Sequence, residues 1–162
     1  MSLELFTPYY IDSIISYFGK NNNCGEKMKT TKALTKRINN DTLEEAFKKR
    51  IRADFFKTEQ GNEPARDFLR ALPLEDKKSV GADIMAVEML WPIGYPKVRK
   101  LDSDLWEVRS DISDKRICRV MFTVEGKKMI LLHAFIKKTQ KTPKDDLELG
   151  KARRDLVLGG KK

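Results

Sequence analysis

His133 is the one histidine in a chain of 162 residues that carries 33 Lys and Arg against 24 Asp and Glu. An imidazole exchanges protons near neutral pH, so His133 is a candidate general acid or base. Lys137, Lys138 and Lys141 crowd the segment just after it, and from Lys127 to the end there are eleven Lys and Arg against four Asp and Glu. Arg109 and Arg119 sit inside strand-like runs, where a buried guanidinium is costly unless it meets an anion. Phosphate is one such anion; Glu107 or Asp111 is another, closer to hand. A histidine ringed by cations suits RNA cleavage, because the 2′-hydroxyl supplies the nucleophile. The protein then has only to move protons and stabilise a pentavalent phosphorane. His133 as a core residue bonded to backbone is the competing reading.

That chemistry needs no metal. The chain holds no HExxH motif, no acidic triad and no Walker loop, and its serines have no adjacent base. Cys24 and Cys118 are far apart and have no Cys or His at ligand spacing, so free thiols in a reducing compartment are expected, with neither a disulfide nor a zinc site. No cofactor is expected.

The elements that must position these residues are legible in the spacing. Arg50 to Phe56 alternates as a strand does, and Gln60-Gly61-Asn62 closes it with turn residues, Asn62 being a candidate cap for the next helix. Ala65, Phe68, Leu69 and Leu72 recur at i, i+3, i+4, i+7 until Pro73 stops the helix. A second helix runs from about Leu74 to Leu90 on the stripe Val80, Ile84, Val87 and Trp91, and the two are read as a helical hairpin packed on a sheet. Strands follow at Leu105 to Arg109, Arg116 to Val124 and Lys128 to Ile136, the last two joined at Glu125-Gly126. The final strand is apolar on both faces and should be central, with His133 beside Leu131 and Phe135 on one of them. Thr142-Pro143-Lys144-Asp145 starts a C-terminal helix, and Leu149, Ala152 and Leu156 form its expected apolar face.

The fold class is therefore α+β: a helical hairpin on a twisted antiparallel sheet, then a C-terminal helix. Residues 1–48 differ in character, with an aromatic amphipathic opening from Leu3 to Phe18, a polar loop and a weak helix from Asp41, and are read as an N-terminal extension before a domain at 49–162. Met28 is an alternative internal start. A formal net charge of +9 favours a polyanionic partner, nucleic acid first. With no leader-like start and no long apolar run, a cytoplasmic protein without a membrane span is expected.

Four blocks resemble the HigB-like, phage-associated branch of the RelE/ParE toxins of type II toxin–antitoxin systems. They are Phe55-Phe56-Lys57-Thr58-Glu59-Gln60-Gly61-Asn62-Glu63-Pro64, Glu88-Met89-Leu90-Trp91-Pro92-Ile93-Gly94, Leu105-Trp106-Glu107-Val108-Arg109, and Leu131-Leu132-His133-Ala134-Phe135-Ile136-Lys137-Lys138-Thr139-Gln140-Lys141-Thr142-Pro143. The resemblance implies a RelE-like fold, cleavage of mRNA on the translating ribosome, and a neutralising antitoxin, usually a helix-turn-helix protein. It implies that Arg109 and Arg119 contact the scissile phosphate and that His133 transfers a proton. Lys137, Lys138, Lys141 and Arg116 would hold RNA or the ribosome. Where relatives often place a tyrosine, Phe135 stands here and has no proton to give. Two other activities fit the same superfamily: inhibition of a protein target such as DNA gyrase, as in the ParE branch, and nucleic-acid binding by an inactive phage-derived remnant.

Overall fold

The computed structural model describes residues 49–137 and 143–159. The N-terminal extension, Lys138, Lys141 and the Thr142 cap lie outside the described residues.

Alternation of apolar and polar residues gives β1 (Arg52–Phe55). Pro64 then opens α1 (Pro64–Ala71) at its first position, where a missing amide costs nothing. The expected Asn62 cap does not form: Glu63 occupies the cap position with no side-chain bond, while Asn62 bonds with Thr58 to close the preceding turn. α2 (Leu74–Leu90) follows directly and buries Val80, Ile84 and Val87, as the stripe predicts. The expected pairing of α1 and α2 as a hairpin is not supported, because each helix packs on the sheet separately: α1 lies against β5 (Lys128–Lys137), and α2 against β3 (Leu105–Ile112) and β1. The remaining elements are β2 (Val98–Asp102), β4 (Arg116–Glu125) and α3 (Lys144–Gly159).

The sheet has the order β1-β5-β4-β3-β2. β2 to β5 are antiparallel, but β1 runs parallel to β5, so the sheet is mixed and not wholly antiparallel. β5 is an interior strand, which is why it is apolar on both faces. β2 is absent from the sequence reading because Val98-Arg99-Lys100-Leu101-Asp102 is short, charged and an edge.

Two cores sandwich the sheet. Beneath α1 and α2, Val108, Val120, Phe122, Met129, Leu131 and Ala134 pack with Val80, Ile84 and Val87. Trp91, Trp106 and Phe122 meet there edge-on or stacked, with ring centroids 5.2 to 5.9 Å apart, so both tryptophans of the resemblance blocks are core residues. On the opposite face Phe56, Leu105, Met121, Ile130, Leu132 and Phe135 receive Leu147 and Val157 of α3.

α3 presents a different side from the one expected. Leu149 and Leu156 are 38% and 66% exposed, whereas Gly150 is buried and Leu147 and Val157 touch the core. Arg153 and Arg154 share the inner side because their guanidiniums reach backbone carbonyls, of Leu132 at 2.7 Å and of Ser103 at 2.7 Å. Their long stems cover apolar surface as leucines would.

Candidate active site

The register between β4 and β5 shifts at Met121/Phe122, so that Met121 opposes His133 and Phe122 opposes Leu131. Leu132 is the extra residue of a bulge. Simple alternation puts His133 on the Leu131 face; the bulge instead leaves Leu131 under α1 and turns both Leu132 and His133 toward α3. His133 therefore stands on the α3 side of the sheet, stacked on Phe135 with centroids 5.6 Å apart.

Cross-strand rows organise this face. Glu107, Met121 and His133 form one row, and Arg109, Arg119 and Phe135 the next. With strands about 4.8 Å apart, Arg109 and Phe135 are about 10 Å apart, a span suited to a nucleotide. Lys137 ends β5 one row further on, opposite Ile117.

The Nε2 of His133 lies 2.8 Å from Oδ1 of Asp146 in the first turn of α3. A carboxylate oxygen accepts, so Nε2 is the donor in this contact and Nδ1 is the ring nitrogen outside it. Imidazole, carboxylate and stacking ring thus come from two elements that meet only in the folded chain.

The two strand arginines differ. Arg119 is 1% exposed, and its Nη1 donates to both carboxylate oxygens of Glu107 at 2.8 and 2.7 Å. Its charge is matched inside the protein. Arg109 forms no salt bridge among the described residues, and its buried Nε has no hydrogen-bond partner there. Its guanidinium carbon sits 6.0 Å from the ring centre of Tyr95, which is 81% exposed. A half-buried guanidinium with unspent donors, next to an open aromatic ring, is a ready anion and base contact.

Arg116 is separated from this face. It opposes Ile112 and is tied to Asp76 of α2 at 3.4 Å and to the Ser113 hydroxyl at 2.8 Å, an arrangement that fastens α2 to the β3–β4 turn. Arg153 lies nearer to the site: it caps the Leu132 carbonyl and covers the Phe56 ring at 5.5 Å, and burial draws its pKa down.

Asp146, Arg153 and Tyr95 are the participants that sequence reasoning misses. His133 and Asp146 are thirteen positions apart, and nothing in the sequence between marks them as partners. Asp146 reads as an ordinary acidic first-turn residue. Among the described residues, no three His, Cys, Asp or Glu side chains group as a metal site. No helix among them is long and apolar enough to cross a membrane.

Residues 67–155 match the model of the family described as Phage derived protein Gp49-like (DUF891). The matched span contains Arg109, Arg119, His133, Asp146 and Arg153. No curated protein matches the chain.

Proposed function

Because this chain belongs to the phage-derived Gp49-like family, a RelE/HigB-like toxin family whose membership implies an antitoxin partner, we propose that it is the toxin of a type II toxin–antitoxin pair and a ribosome-dependent mRNA endoribonuclease of the HigB-like branch. In that role it works in the cytoplasm, where its substrate is translated, and a helix-turn-helix antitoxin holds it in check.

The observation that carries this reading is the 2.8 Å contact between His133 and Asp146. Nδ1 of His133 takes the proton of the 2′-hydroxyl as the 2′-oxygen attacks phosphorus. Asp146 orients the ring and stabilises the imidazolium that results, as a carboxylate does for a catalytic histidine elsewhere. The bond from phosphorus to the 5′-oxygen breaks, and water supplies that oxygen's proton, leaving a 2′,3′-cyclic phosphate and a 5′-hydroxyl. Arg109 meets the phosphorane's charge with its unspent donors. Arg119 acts indirectly, holding Glu107 and the sheet face beneath. Lys137, Lys138 and Lys141 bind the RNA strand or ribosomal RNA. No step in this scheme calls for a metal.

Inducible expression with mapping of mRNA 5′ ends tests the proposal. The wild type is expected to arrest growth and produce new 5′-hydroxyl ends, and His133→Ala to lower cleavage by roughly 10²–10⁴-fold, the usual size of a general-base contribution. Asp146→Asn should retain more activity than His133→Ala, since it removes only the orienting charge. DNA damage with intact mRNA would instead identify a gyrase-type target, and no arrest an inactive remnant.

A further inference from the structure

At the start of β1 and β5, well away from Arg109 and Phe135, the surface holds a hollow of about 420 Å³. Lys49, Arg50, Arg52, Lys127 and Lys128 line it, against one carboxylate, Asp54. His133 is five residues along β5 from Lys128, or about 17 Å. Ile130 and Leu132, which receive α3, lie between them. The hollow is therefore separate from the candidate active site.

Arg52 and Lys128 are direct register partners on adjacent strands, and Lys128 also opposes Glu125 across the β4–β5 hairpin. Lys49 is matched by Glu88 at 2.7 Å. Arg52, Lys127 and Lys128 are exposed and form no salt bridge among the described residues. Asp54 turns an oxygen back to the amide of Phe55 at 2.9 Å.

We propose that this hollow is a second RNA-binding surface, taking the sugar–phosphate backbone of a folded RNA and docking the protein away from the bond that is cut. Two cations one strand spacing apart can grip a single phosphate, and the fork of Arg52 suits its oxygens. Ile51 and Ala53 supply the lining's only apolar side chains and are largely packed into the core, so an acidic protein partner finds no pocket for the buried anchors that protein interfaces rely on. The inference takes from the nuclease reading only its choice of polyanion.

The test is equilibrium binding of the full chain to a fluorescent ribosomal RNA hairpin between 50 and 200 mM salt, in the His133→Ala background so that cleavage plays no part. The variant Arg52→Glu/Lys127→Glu/Lys128→Glu is compared with Arg70→Glu/Lys77→Glu/Lys115→Glu, which changes the net charge equally on the far side. The hollow's variant should bind at least 10-fold more weakly and lose about two to three units of the log–log salt slope, close to one per phosphate contact. The control should lose much less. Equal losses in both variants, no loss in either, or no RNA binding by the parent would each overturn the proposal, as would displacement by polyglutamate at concentrations where competitor RNA has no effect. If the wild type cuts no mRNA while the hollow's variant still loses RNA binding, the nuclease reading falls and the docking surface stands; the reverse pattern separates them the other way.

Discussion

Arg119 and Glu107 face each other across adjacent strands at 2.7 Å with almost no access to water. Removing one partner strands the other's charge in the core. Arg119→Ala is therefore expected to cost about 3–5 kcal/mol of stability, while the paired apolar replacement Arg119→Met/Glu107→Leu costs far less or nothing. Urea denaturation checks both; equal losses would show that the ion pair is not what holds these strands. The double variant should keep the fold while altering the sheet face beside Arg109. At this scale the sequence reading named Arg119 and Glu107 without deciding between that carboxylate and a phosphate. It placed Arg119 and Glu107 in neighbouring runs, but a guanidinium near a carboxylate and one near a phosphate have the same local sequence. Only the register decides which anion is within reach.

The bulge at Leu132 and the docking of α3 belong to the scale of elements. Gly150 is the contact point: a Cβ there would lie 2.6 Å from the sulfur of Met121, itself fully buried. Overpacking of this kind costs about 1–3 kcal/mol, and the higher helix propensity of alanine returns about 1. Gly150→Ala should thus lower stability by about 1 kcal/mol net, read as a fall in the urea midpoint; a rise would mean that Met121 swings aside freely. Because α3 also carries Asp146, loosening it should weaken the orientation of His133 as well. Helix α3 was legible in its existence and in where it begins, at Lys144. Its inner face was not, because leucines at 149 and 156 outweigh a glycine and two arginines in any hydrophobic pattern, whereas in the fold the glycine's lack of bulk and the arginines' long stems decide the contact.

For the molecule as a whole, Cys118 reports on global opening. It is wholly buried in the core between α2 and the sheet, and burial, with Asp76 nearby, pushes its thiol up to about 12. At pH 8 only about one thiol in 10⁴ would be thiolate, the reactive form. A Cys24→Ser variant should therefore resist alkylation at pH 8 in the native state and react along the same urea curve that fluorescence follows. Prompt native-state labelling would show that this core opens locally. The net charge of +9 also belongs at this scale. It is legible from composition, but composition does not say that Arg116 is spent on Asp76 while Arg52, Lys127 and Lys128 are left in the open.

The sequence by itself determined the α+β class, the span of α2, the β4–β5 hairpin with Gly126 at a φ of 58°, and the interior place of β5. These follow from periodicity and turn chemistry, which act over a few residues. Tertiary structure alone decided the parallel pairing of β1, the separate seats of α1 and α2, the turning of His133 toward Asp146, and the division of the arginines between Glu107, Asp76 and open solvent. Each depends on register or on contacts between residues distant in the chain, where a shift of one position sends a side chain to the opposite face.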